Sequence, residues 1–267
     1  MSRPTRNIGN ARPLEGRNFL VFGVHPVMTL VAQRPESIGK ICLKPGLRPS
    51  MLEPFLLELR AKKIAWEFQD EAFFGQLSKE SVHQGLVAFM KDVPQMDEED
   101  LFERLTQAHE RPRGIVCLDQ LQDTRNLGAI VRAGVAFGIE DYVLTRHGQA
   151  RVGEAAWKSS AGMLAYARLF FATNLGRVLK RLKNLGYWVV GLDATVKDSG
   201  QAFTFPESCV FVFGSEHKGI REGLRKKCDF SFRIPLDSRV ESLNVASAAS
   251  IVFYMFREQF VDKFKVG

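Results

Sequence analysis

Only four cysteines occur in the 267 residues, Cys42, Cys117, Cys209 and Cys228, and they stand far apart. No C-x-x-C pair and no His/Cys cluster is present, so zinc-ligand and redox-motif readings have nothing to rest on. Each cysteine lies in or beside apolar, strand-like sequence, which predicts buried reduced thiols in a cytoplasmic protein. The five histidines are scattered and none forms H-E-x-x-H, so no metal site is expected. No apolar run reaches the roughly eighteen residues that a membrane span needs. The opening "MSRPTRNIGNARPLEGRN" is basic with no apolar segment behind it, unlike a secretory signal, and residues 1–17 are expected to form a flexible tail. Also missing are G-x-G-x-x-G after a strand of the larger lobe, G-x-x-x-x-G-K-[ST], and G-x-S-x-G. Their absence argues against a Rossmann dinucleotide site, a P-loop and a hydrolase elbow.

What is present is an ordinary globular composition, 45% apolar and 25% charged, with a net charge of +7. The charge is unevenly spread: residues 1–90 carry +4, residues 91–113 carry −3 and the remainder +6. Two basic lobes flanking an acidic connector favour a polyanionic partner, because cations released from phosphates drive such binding.

Apolar periodicity divides the chain accordingly. In residues 18–91 "NFLVFG", "GKICLK" and "GLVAFM" read as strands, and "VHPVMTLVAQ" and "SMLEPFLLELRAKK" as helices, enough for a small α/β lobe. Residues 92–113 are expected to be a linker with a short helix capped by Asp97. From Gly114 to Gly267 the rhythm is regular. "GIVCLD", "DYVLT", "YWVVGLD", "SCVFVFG" and "FSFRIPL" are strands. "NLGAIVRAGVAFG", "NLGRVLKRLKNLG", "IREGLRKKC" and the stretch from Asn244 to Lys263 are helices. Apolar strands separated by helices predict a parallel sheet covered on both faces, with ligands at the carboxyl ends of its strands. Three loops meet that description: 119–126, 214–219 and 235–244.

Each loop carries a motif. In "LDQLQDTRNLGAIVRAGVAFG", Asn126 is expected to cap the helix, and Arg132, six residues on and close to two turns, to project near the same face. An arginine on such a helix can also simply snorkel to solvent. In "FVFGSEHKGI", Gly214 would let the backbone approach a ligand closely while Glu216 points a carboxylate into the site, and an ordinary strand-to-helix turn fits the same residues. In "IPLDSRVESLNVASAAS", a polar loop runs into small residues at the start of the last helix.

Together, "D-x-x-N-x-G-A-I-x-R", "G-S-E-x-x-G" and "I-P-L…E-S-L-N-V-A-S-A" resemble the SpoU (TrmH-like) family of RNA ribose 2′-O-methyltransferases, in the SPOUT superfamily. The catalytic resemblance covers roughly residues 114–262, and residues 18–90 look like the small RNA-binding lobe that many members carry. The resemblance implies an α/β domain with a deep trefoil knot, S-adenosylmethionine bent in the knotted loops, a homodimer, and no metal. It implies catalytic roles for Asn126, Arg132, Glu216, Ser242 and Asn244, and cofactor contacts from Gly214, Ile234, Leu236 and Leu243. Members commonly have glycine at Ser238 and serine at Ala246. Ribosomal RNA is the expected substrate. Transfer RNA, or a non-catalytic RNA-binding role in ribosome assembly, are the alternatives. The basic residues Arg177, Lys180, Arg181 and Lys183 and the segment Arg221–Lys227 are read either as phosphate contacts or as a solvated face.

Overall fold

The structure, a computed structural model, describes residues 19–77, 83–91, 96–107, 113–194, 196 and 203–263, and the tail expected over residues 1–17 lies outside these. The chain divides into two units, residues 1–94 and 95–267.

The smaller unit holds β1 (Leu20–Phe22), α1 (Val24–Gln33), β2 (Ile38–Leu43), α2 (Pro49–Ala61), β3 (Trp66–Phe68), α3 (Glu71–Leu77) and β4 (Leu86–Met90). Its sheet runs β1-β4-β2-β3, antiparallel except for the parallel β2–β3 pair. Alternation along the strands separates two apolar faces. Cys42 and Val87 share one face with Phe74 of α3, while α1 packs on β1, β4 and α2.

The larger unit opens with β5 (Met96–Asp97) and α4 (Glu98–Gln107). It continues through β6 (Arg113–Leu118), α5 (Thr124–Ala136), β7 (Asp141–Thr145), α6 (Glu154–Ser159), β8 (Arg168–Ala172) and α7 (Leu175–Asn184). It ends with β9 (Trp188–Leu192), β10 (Ser208–Phe213), α8 (Glu222–Arg225), β11 (Phe230–Phe232) and α9 (Val245–Gln259). All seven strands pair in parallel, in the order β11-β9-β10-β6-β7-β8-β5. One face is covered by α4 and α7, whose Leu101, Phe102, Leu179 and Leu182 pack on Ile115, Val143, Phe170 and Val210. The other carries α5 and α9. Phe253 and Phe256 of α9 meet Phe211 of β10 edge-on at 5.8 and 5.3 Å, and Phe253 meets Phe213 in the same way at 5.7 Å. Edge-to-face aromatic contacts of this kind add to burial.

The linker expected at 92–113 is corrected in its middle. Residues 96–107 belong to the sheet-and-helix core, because Leu101, Phe102 and Leu105 give α4 a buried apolar stripe. The acids that made this stretch look like a connector have partners. Glu98 pairs with Arg177, and Glu99 takes Arg181 in a fork at 2.5 and 2.8 Å. Arg181 also lies 3.6 Å from the centre of the Phe102 ring. Asp97 does cap α4, its Oδ1 accepting from Glu99 N at 2.8 Å and Asp100 N at 3.2 Å.

The cysteines are free thiols held away from reactivity. Burial pushes Cys42 and Cys209 up to about 12 and Cys228 up to about 11.

Candidate active site

From β6 the chain builds the sheet outward through β7 and β8, then crosses over to place β9 and β10 on the other side of β6. Strand order therefore reverses between β6 and β10. At such a switch point the loops leaving the two carboxyl ends diverge and open a crevice. The β6 loop (119–123), the β10 loop (214–221) and the segment after β11 (233–244) all leave from this edge.

Asp119 directly follows β6, pairs through its N–H with Phe213 O at 2.8 Å, and is 1% exposed. A buried carboxylate needs compensating donors. Arg221 supplies them, through its backbone N at 3.1 Å, its Nε at 2.8 Å and a terminal guanidinium nitrogen at 2.6 Å. The pair fastens the far end of the β10 loop to β6. Sequence reasoning missed it and set Arg221 among candidate phosphate contacts. The available signal was an acid closing an otherwise apolar strand.

Asn126 is not the cap of α5. Asp123 is, its Oδ1 accepting from Arg125 N at 2.7 Å. Asn126 lies three residues in, and its side chain is turned to the other loops. The direction of that network is fixed from its far end. Asn244 caps α9 with Oδ1, accepting from Ala246 N at 2.9 Å and Ser247 N at 3.4 Å. Its Nδ2 is left to donate to Asn126 Oδ1 at 3.0 Å, and Asn126 Nδ2 then donates to Glu216 Oε1 at 3.0 Å. Glu216 also accepts from Gln122 N at 3.3 Å and Asp123 N at 3.2 Å. All three loops thus close on one carboxylate. Partial burial by itself would raise the Glu216 pKa. The hydrogen bonds from Asn126 and from the backbone of Glu216, Asp123 and Gln122 outweigh it and hold the group below its usual range.

Gly214 is required by the turn that the sequence also allowed for. A Cβ there would lie 1.9 Å from Gly219 C and 2.1 Å from Ile220 N, so the close approach is to the chain's own turn. Ser215 and Gly219 bond reciprocally at 3.1 and 2.9 Å to close that turn, with Gly219 at φ +62°.

Arg132 is exposed, and its side chain makes no hydrogen bond or ion pair with a described residue. At about 100° per residue, six positions turn it about 120° away from Asn126, so the shared face expected for the two is not found. Ser242 is exposed and likewise stands outside the Asn126–Glu216–Asn244 cluster. Ile234, Leu236 and Leu243 are half-buried, and no backbone–backbone hydrogen bond to a described residue engages them. Half-buried aliphatic side chains beside uncommitted N–H and C=O groups suit a nucleoside-bearing ligand, whose base edge needs such partners. Ser238 does not adopt positive φ, so this loop does not need glycine there, and Ala246 is buried in the first turn of α9.

The remaining basic candidates are mostly committed within the fold. Besides Arg177, Arg181 and Arg221, Lys183 pairs with Asp229 at 2.8 Å, and Arg225 and Lys226 pair with Glu222.

The chain matches two family models, the SpoU rRNA Methylase family over residues 113–254 and RNA 2'-O ribose methyltransferase substrate binding over residues 20–96. It is 30% identical over 242 residues to a Nitrosomonas europaea protein named 23S rRNA (guanosine-2'-O-)-methyltransferase RlmB, covering 89% of this chain and 91% of that one. The Salmonella typhimurium protein of the same name is 28% identical over 235 residues, covering 88% and 96%. Among solved structures, the SpoU methyltransferase AviRb from Streptomyces viridochromogenes, in complex with AdoMet, aligns with a TM-score of 0.75 at 22% identity. That alignment covers 92% of this chain and 91% of AviRb, and it shows the shared fold. With one model spanning the sheet domain and a second the smaller unit, this chain belongs to the SpoU rRNA methylase family of RNA ribose 2′-O-methyltransferases.

Proposed function

We propose that this protein transfers a methyl group from S-adenosylmethionine to the 2′-oxygen of a ribose in ribosomal RNA. The observation that carries the reading is the convergence of Asn126, Glu216 and Asn244, separated by up to 118 residues in sequence, on one point of the crevice. The relatives named for 23S ribosomal RNA favour that substrate over transfer RNA.

When bound, the cofactor supplies a methyl already activated on a sulfonium, so the protein's work is orientation and charge management. Ile234, Leu236 and Leu243 hold it through backbone groups and aliphatic contact, and Gly214 shapes the turn beside them. The Asn244–Asn126–Glu216 relay keeps the loops in register and presents a fixed polar wall to the ribose, with Ser242 at its rim. Arg132 grips phosphate and the charge that develops on the 2′-oxygen. A guanidinium remains protonated in proteins, so it is a charge stabiliser and not a base. The smaller unit recruits RNA.

The protein acts in the cytoplasm as a homodimer built on the sheet domain. Ile251 and Tyr254, exposed on α9, support the dimer. The knot implied by the sequence resemblance belongs to the same reading, supported by the α9 start lying beside the α5 start across the Asn244–Asn126 bond.

The test is direct. Calorimetry without added metal is expected to show saturable S-adenosylmethionine binding, and unmodified ribosomal RNA is expected to gain an alkali-resistant ribose. No heat at millimolar cofactor together with no methyl incorporation overturns the reading.

A further inference from the structure

The arginines of the larger unit differ in their partners: Arg113 and Arg233 donate to the neutral oxygens of Tyr187 and Val196, and the Arg132 side chain has no described partner. Arg104, Arg168, Arg177, Arg181, Arg221 and Arg225 each meet a carboxylate. Arg146 and Arg151, in the loop between β7 and α6, do not. Both are exposed, and the side chain of neither makes a hydrogen bond or ion pair with a described residue. The stretch "RHGQARVG", residues 146–153, contains no acid at all. Like that of Arg132, charge left unpaired on this exposed loop, in a unit that pairs many of its arginines with carboxylates, is available to an anion from outside.

The loop is also held in place. Arg146 N bonds Ala172 O at 3.0 Å, fixing the start of the loop on the end of β8. Ala150 N donates to Leu121 O at 2.6 Å, and Gln149 Oε1 accepts from Leu121 N at 3.2 Å. Between these bonds Gly148 turns at φ +69° against the side chain of Gln120, itself at φ +59°. Arg146 and Arg151 therefore flank a clamp on residues 120–121, directly before the Gln122–Asp123–Asn126 stretch that grips Glu216.

Sheet order says which ligand this loop faces. β7 and β10 lie on opposite sides of β6. The β10 loop and the segment after β11, assigned above to the cofactor, leave from one side, and the Arg146–Arg151 loop leaves from the other. We infer that the Arg146–Arg151 loop is a phosphate-binding arm for the substrate strand. The RNA backbone crosses the β7 side of the crevice while the methyl donor lies on the β10 side, and the two meet at residues 119–126. Two guanidinium forks suit phosphate oxygens, and such contacts set the register of a strand without reading its sequence.

This inference rests on the RNA-methylation reading, and its test separates the two. The full-length protein and Arg146→Ala/Arg151→Ala are titrated with an unmodified 23S ribosomal RNA transcript across a salt series. Calorimetry with S-adenosylmethionine is run on both. Because the two side chains are in water, the variant is expected to keep its thermal midpoint and its cofactor affinity. Its RNA affinity should drop by about tenfold or more, and the salt slope of log K should flatten by about 1.4 to 1.8, two phosphates' worth. In turnover, KM for RNA should rise with kcat within about twofold, the mark of lost binding that is uniform between ground and transition states. A variant with the wild-type salt slope and KM overturns the inference, as does one whose kcat falls with KM unchanged. Failure of the wild type to bind S-adenosylmethionine strikes at the proposed function instead, and the salt slope still decides the arm.

Discussion

Arg132 and Glu216, both given roles in the proposed reaction, carry opposite charges and differ in their partners. Glu216 is committed, accepting from two backbone N–H groups and from Asn126, whereas the Arg132 side chain has no described partner. In the proposed mechanism that free charge serves the substrate. Arg132→Ala is therefore expected to leave cofactor affinity nearly intact while cutting methyl transfer by about two orders of magnitude or more, some 3 kcal/mol. Arg132→Lys keeps the charge but not the fork and should recover little. Wild-type turnover by the alanine variant would return Arg132 to the role of a snorkelling surface residue. For Glu216 the pH dependence has a definite sign. Its folded pKa is lowered, so the order it gives the loops is complete above the ordinary carboxylate range and is lost only as pH falls through the lower folded value. The profile of kcat/KM should show no acid limb from Glu216 near neutrality, and Glu216→Gln should leave the neutral part of the profile unchanged in shape while lowering its height. A limb near neutrality that disappears in Glu216→Gln would mean that the carboxylate is protonated there and the relay is misdirected.

At the scale of elements, two side chains join helices to the site. Asn244 both caps α9 and donates to Asn126 in the first turn of α5. Asn244→Asp preserves the capping oxygen but removes the donor, whereas Asn244→Ala removes both. The alanine variant is expected to lose about 1 kcal/mol of stability from the cap, and the aspartate variant much less, with methyl transfer falling in both. Denaturant melts alongside turnover measure the two effects, and equal destabilisation by both changes would show that the cap does not govern the start of α9. This double duty was only half legible in the sequence. "DTRN" offers two capping residues three apart, and pattern alone cannot say which caps and which is released to reach another loop. The three loops themselves were legible, because apolar strands such as "GIVCLD" and "SCVFVFG" end abruptly in polar residues. β8 was not, since "LAYARLFFA" is apolar almost throughout and gives no period to separate a turn from a strand. β3, α3 and α6 are short segments without strong boundary signals. The start of α9, with its small residues, has its reason in packing: Ala246 and Ala249 are buried where the helix lies along α5.

On the scale of the whole molecule, the net charge of +7 conceals how selectively cations are left unpaired. Acidic α4 pairs with Arg177 and Arg181 of α7, two of the basic residues read either as phosphate contacts or as a solvated face. The apolar surface is selective in the same way. α9 buries Val252, Phe253 and Phe256 against its own sheet, yet leaves Ile251 37% and Tyr254 50% exposed. Phe137, at the end of α5, meets Tyr254 edge-on at 6.0 Å and extends this outward patch. Apolar side chains gathered on one helix face mark a contact surface more often than scattered ones do. If the patch is the dimer interface, sedimentation at micromolar concentration should give twice the chain mass for the wild type. Ile251→Lys combined with Tyr254→Lys should give the chain mass. The second change sets an ammonium one turn before Glu258, with which it can pair, so the helix itself is not weakened. Across a two-fold axis the same charges would face each other and repel. The variant should keep its circular dichroism. A dimer that survives both lysines places the interface elsewhere on the sheet domain, and a wild type that sediments as a single chain removes the homodimer from the proposal altogether.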